Sequence, residues 1–154
     1  VSRGSERGVV AGAEALAFGV LVLAVGTAVV VVAWGVLTTR ATLDAAAAEY
    51  LRAYTEAADG PAAIAAGRDA ALWVLQGRGR PPGGIRWDEP DPDRFGPCAP
   101  VSVTLRADSP GIRLPGGRVF GPVEVEVTHH ELVDARREIR PGPDHDPTRT
   151  PCAD

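Results

Sequence analysis

The densest run of side chains able to bind a metal or move a proton is His129, His130, Glu131 and Asp134, with His145 set apart between Asp144 and Asp146. A zinc site built from such residues needs a fixed ligand geometry, such as two histidines one helical turn apart. Neighbouring residues of an extended chain point to opposite faces, so His129 and His130 cannot easily share one ion. They read as the solvated end of a strand. The acidic pairs Asp88-Glu89 and Asp91-Asp93 lie among prolines and read as a solvated loop. The chain carries no nucleophile elbow, phosphate-binding glycine loop, dinucleotide fingerprint or nucleophile–base pairing. The expectation is a non-catalytic protein with no metal and no cofactor.

Two cysteines remain, Cys98 ahead of a predicted strand and Cys152 near the C-terminus. Outside a bacterial membrane two such thiols often pair. Closing a loop of about 55 residues contributes on the order of 4 kcal/mol in the chain-entropy model. A disulfide from Cys98 to Cys152 would tie the tail to the sheet; free or intermolecular thiols are the other readings. Without CxxC spacing the two do not make a metal site. The last candidate is Glu14, a carboxylate at the mouth of an apolar run, where it is costly unless it reaches the interface or finds a partner. One reading leaves it in the headgroup zone. The other holds it for pairing with an N-terminal amine or a basic group of a neighbouring subunit.

The elements that must carry these residues begin with that run. Residues 15–39 hold no charged side chain in 25 positions. An α-helix rises about 1.5 Å per residue, so about 20 apolar residues cross a hydrocarbon core of about 30 Å. Gly19, Gly26, Gly35 and the many valines are poor helix formers in water and tolerated in lipid, and Trp34 suits an interface. A remainder rich in proline and glycine could not wrap such a helix on all sides. A cleaved secretory signal competes with this reading, but its apolar region runs about 7–15 residues and ends in a small-residue site. Here Trp34-Gly35-Val36-Leu37 leads straight into further helical sequence. Arg3 and Arg7 precede the span and a net acidic region follows it, which favours a cytoplasmic N-terminus and an extracytoplasmic C-terminus.

Beyond the span the helical pattern continues. Leu43, Ala47, Tyr50, Leu51, Tyr54 and Ala58 recur near the 3.6-residue period, with Arg40, Asp44, Glu49, Arg52, Glu56 and Asp59 off that stripe. One continuous helix over residues 9–58, about 75 Å long, is predicted. Asp59-Gly60-Pro61 ends it and starts a second helix, with a stripe of Ile64, Ala71, Leu72 and Leu75 and a stop at Gly77. Val101, Val103 and Leu105 alternate with polar residues, as do Val123, Val125 and Val127, predicting two antiparallel strands. Residues 85–87 suggest a third, and Val119 and Phe120 a short extension. The fold class is α+β: a long transmembrane and amphipathic helix, a second short helix and a small antiparallel sheet. The expected division is a cytoplasmic leader (1–8), a transmembrane helix (9–39), an extracytoplasmic helical region (40–77), a small β region (85–139) and a flexible tail (140–154). A net charge of −4, with all 16 basic residues arginine, argues against a nucleic-acid partner and suggests a GC-rich bacterial genome.

The run Glu6-Arg7-Gly8-Val9-Val10-Ala11-Gly12-Ala13-Glu14-Ala15 resembles the entry segment of TadE-like minor pseudopilins of the tight-adherence (Flp) pilus system. The alanine-rich stretch AAAAEYLRAY at residues 45–54 resembles the region after their membrane helix. His130-Glu131-Leu132-Val133-Asp134-Ala135-Arg136 resembles part of their C-terminal region. The resemblance implies a pilin-like layout and cleavage by a prepilin peptidase after Gly8, which makes Val9 the new N-terminus. It also implies that Glu14 neutralises a neighbouring subunit's amino terminus during assembly. The implied partners are the membrane, other pilin-like subunits, the pilus and secretion machinery and the peptidase. The implied location is the bacterial cell membrane or a surface pilus. The alternative is an unprocessed single-pass envelope protein presenting an extracytoplasmic binding domain.

Overall fold

The computed structural model describes residues 6–113 and 117–152 and, within them, the side chains other than those of residues 6–14, 82, 113 and 120. Its axis is one helix, α1 (Glu6–Thr55), of 50 residues. The run carries no proline, so no backbone donor is missing. The helix ends at Thr55, three residues ahead of the predicted stop, and a turn hands over to α2 (Gly60–Gly77). Asp59 caps α2, its carboxylate accepting from the Ala62 amide at 3.0 Å, and a proline occupies the first turn. Both features suit a helix start.

Three strands form the main sheet: β1 (Ile85–Asp88), β2 (Pro100–Asp108) and β5 (Glu124–Leu132), in the antiparallel order β1-β2-β5. Ile85 faces Ala107, and Val103 faces His129. Alternation decides the faces: Val101, Val103, Leu105, Ala107, Val125 and Val127 are buried, and the residues between them look outward. The predicted extension at Val119 and Phe120 is a separate ladder, in which β3 (Ile112–Arg113) pairs with β4 (Val119–Phe120). The two ladders part at Ser109, which donates its amide to the Val123 carbonyl at 2.8 Å and accepts the Val123 amide on its hydroxyl at 3.0 Å. Those bonds satisfy the backbone where the pairing breaks.

The distal half of α1 is the centre of the core. Leu43, Ala46, Ala47, Tyr50, Leu51 and Tyr54 are all buried, and they meet Ala63, Ala71 and Leu75 of α2 and the inner face of the sheet. Tyr54 packs edge-on against Phe95, centroids 5.4 Å apart, and lies 6.0 Å from Tyr50. Burying each such aromatic or aliphatic side chain contributes about 1.5–3 kcal/mol. The seam with α2 keeps Ala71 and Leu75 of the predicted stripe and is otherwise made by smaller residues. Gly60, Ala63, Gly67, Ala71 and Leu75 are buried, whereas Ile64 and Leu72 stand at the margin. Small residues every fourth position let the helices approach until the Tyr50 ring lies over Gly67, where a Cβ would be 2.9 Å from the ring.

The segment read as a flexible tail is laid along the domain. Arg140 donates its amide to the Ala58 carbonyl at 2.8 Å, Gly142 to Phe95 at 2.7 Å and Asp144 to Asp93 at 2.9 Å. The proline and glycine content that suggested disorder instead permits this close course.

Candidate functional site

His129 and His130 fall on opposite faces of β5. His129 continues the inward face, and its Nε2 lies 2.8 Å from the Asp44 carboxylate on α1. That contact ties the sheet to the helix. His130 faces outward opposite Ser102. Among the described residues no hydrogen bond joins Ser102 to His130, and no group of three or more His, Cys, Asp or Glu is placed to hold a metal ion. Glu131 and Asp134 border a shallow depression with Thr55, Glu56, Leu132 and Arg137. His145 lies against Gly96, in a segment where Asp146 caps a short turn and is held below the usual carboxylate range by bonds from Thr148.

The Cys98 and Cys152 sulfurs are bonded, 2.14 Å apart across a sequence separation of 54. Cys98 has φ +58, and its amide donates to the Val133 carbonyl at 2.9 Å. Gly8, Val9 and Glu14 lie on the first turns of α1, and the side chains of Val9 and Glu14 are outside those described.

Sequence reasoning missed the most constructed polar cluster. Glu89, read as part of a solvated loop, is 14 % exposed. Its carboxylate accepts Arg68 Nε at 2.7 Å, a second bond from Arg68 Nη2, and the Tyr50 hydroxyl at 3.2 Å. This fork binds the end of β1 to α2 and to the core face of α1. Burial, reinforced by the Glu89 charge, pushes the Tyr50 phenol far up. Burial, then the Asp91 charge, pushes Tyr54 up to about 12. The cluster contains acid, base and phenol, and all three groups are spent on one another. On the outer sheet face Arg106 pairs with Glu126 at 2.9 Å, holding that carboxyl below its usual range, and Arg86 pairs with Glu124 at 2.9 Å. This is a solvated strand face with cross-strand pairs.

Among the described residues, most of the exposed large apolar side chains lie on α1 between Leu16 and Leu37. Leu16, Phe18, Leu21, Leu23, Val25, Val29, Val30, Trp34 and Leu37 are exposed. The helix is long and apolar enough to cross a membrane: its most apolar window has a mean hydropathy of 2.7 and is 0 % buried within the fold. Such a face, apolar all round, is compatible with lipid or with a sheath of like helices, and so with a single-pass membrane protein. Comparison with protein-family models, with curated proteins and with solved structures finds no match.

Proposed function

We propose that the chain is a membrane-anchored, non-catalytic, pilin-like subunit or pilus-assembly protein of a tight-adherence type system. The observation that carries this reading is the division of labour along α1: one unbroken helix whose stretch from Ala15 to Trp34 is apolar and largely bare and whose second half is the core of a small α+β domain. That design suits a subunit that rests in lipid and then buries the same surface among copies of itself. Transfer out of the bilayer requires that neighbours cover the apolar face and that Glu14 meet a counter-charge, since an unpaired carboxylate there costs several kcal/mol. The disulfide supports an extracytoplasmic domain, because such bonds persist in oxidising compartments.

A second reading is an unprocessed single-pass envelope protein that presents a binding domain. One count favours it. From Val9 onward Glu14 is the sixth residue, whereas the resemblance implies a glutamate at the fifth position of the mature chain. Intact mass of the protein from native membranes, measured with and without reductant, separates the two. Loss of residues 1–8 is the result expected of a processed pilin-like subunit. A retained N-terminus favours the tethered module, and loss of everything up to residue 39 would mean that the apolar segment is a cleaved signal.

A further inference from the structure

The uncharged stretch of α1 does not end where the domain begins. A Cβ on Gly35 would stand 3.2 Å from the Pro110 carbonyl oxygen, and one on Gly121 would stand 3.1 Å from a Val32 methyl. The segment that leaves β2, and the β3–β4 ladder it leads to, thus lie beside the last turns of the apolar run. The rest of that girth is bare: Trp34 is 69 % exposed, Leu37 61 %, and Val119 on β4 52 %. Next to them, Arg78, Arg80, Thr38, Thr42, Asp108 and Pro110 border an open groove of about 460 Å³.

The two arginines spend their hydrogen bonds on neutral oxygens. Arg78 donates to the Ala41 carbonyl at 3.3 Å, and Arg80 to the Thr39 hydroxyl at 2.9 Å and to the Asp108 carbonyl. Neither joins an ion pair among the described residues. Exposed Arg40 adds a third cation at the same level of α1, and the Asp108 carboxylate is the acidic group of the groove.

We propose that this face, made of the β3–β4 ladder, Trp34 and the Arg78–Arg80 groove, seats on the anionic phosphate headgroups of the bilayer that α1 crosses. The proposal rests on reading α1 as a membrane span. A guanidinium is the side chain best matched to a phosphate, and an indole at that level suits the interface. The depth is consistent. The 21 residue steps from Glu14 to Gly35 rise about 31 Å, against a hydrocarbon core of about 30 Å. Packing at Val32 stops the helix from sinking further, so Glu14 falls at the opposite headgroup layer.

The test uses the full chain in nanodiscs of phosphatidylcholine, with and without phosphatidylglycerol, read by backbone hydrogen exchange. One arginine beside an anionic surface is worth about five-fold in affinity, so two give up to about 25-fold slower exchange in the segment joining β2 to β5 at low salt. That slowing should vanish at high salt and in Arg78→Gln/Arg80→Gln. Arg78→Lys/Arg80→Lys should keep most of it, with β2 amides as the control for folding. Equal exchange in both discs, with α1 protected, overturns the seat and leaves the membrane span standing. Unprotected α1 amides overturn the span and the seat together. Protection that ignores phosphatidylglycerol and arises only in discs holding two copies also overturns it, assigning the face to a second subunit.

Discussion

At the scale of single residues the two tyrosines report on the whole core, because the chain has no others. Tyr50 and Tyr54 are fully buried, and in both burial raises the phenol above its ordinary value of 10.0. A raised folded value means that the fold prefers the neutral phenol. The contribution is complete below pH 10 and is lost as pH climbs towards about 12, where Tyr54 titrates, and beyond, where Tyr50 does. An alkaline titration of tyrosinate absorbance should therefore show little signal near pH 10 and then a rise that coincides with loss of structure; an independent rise near 10 would contradict the burial. The two hydroxyls should part company on mutation. Tyr54 Oη is buried with no partner among the described residues, whereas Tyr50 donates to Glu89. Leaving a buried hydroxyl unpaired costs about 1–3 kcal/mol, so Tyr54→Phe should raise domain stability by about 1 kcal/mol. Tyr50→Phe should lower it by about the same amount, and denaturant melts decide both. None of this is legible from spacing, since Tyr50, Arg68 and Glu89 are brought together across 39 residues of chain.

At the scale of elements, the local signals are readable and the contacts between elements are not. The alternation of Val101, Val103 and Leu105 states a half-buried strand without reference to the rest of the chain, and β2 forms there. Asp59-Gly60-Pro61 likewise contains its own instruction, a cap followed by a proline at the first turn. Of the stripe that apolarity marks on α2, Ala71 and Leu75 are in the seam, whereas Ile64 and Leu72 stand at its margin and Gly60, Ala63 and Gly67, which apolarity passes over, complete the contact. The spacing of Ala63, Gly67 and Ala71 was the available clue, since small residues one turn apart allow close approach. Val119 and Phe120 are legible as a short extended piece, but their partner strand β3 and their separation from the main sheet are not: two-residue strands are too short to alternate, and their placement depends on Val32 and Gly35. The seam supplies its own test. Gly67→Ala raises helix propensity by about 1 kcal/mol, yet it drives a methyl into the Tyr50 ring. Overpacking costs about 1–3 kcal/mol, so the net effect should be destabilisation by about 1 kcal/mol. Gly26→Ala, with nothing within 4 Å, should leave domain stability unchanged. Thermal melts of the two variants side by side check the pair, and equal melting would place the helices further apart than the seam requires.

At the scale of the molecule, α1 enters the domain at Val32 and Gly35, where the β3–β4 ladder packs, and the C-terminal strap closes the far end. Arg140 reaches the α1–α2 turn, with its guanidinium 3.4 Å from Asp59, and Gly142 and Asp144 bond the loop between β1 and β2. Cys152 then locks onto Cys98, whose left-handed backbone is an unfavourable conformation for a residue bearing a side chain. Ile139, at the start of the strap, packs against the core, and the strap beyond it is mostly exposed, so the covalent link is expected to contribute much of its order. Reduction removes a closed loop worth about 4 kcal/mol in the chain-entropy model. It should therefore lower the melting temperature markedly and expose residues 140–152 to protease before the helices and the sheet are cut. Cys98→Ser/Cys152→Ser should reproduce both effects without reductant. The order of events is the decisive part: if reduction melts the domain and the strap in one step, the strap is integral to the core, and if neither changes, the hydrogen bonds from Arg140, Gly142 and Asp144 suffice without the disulfide.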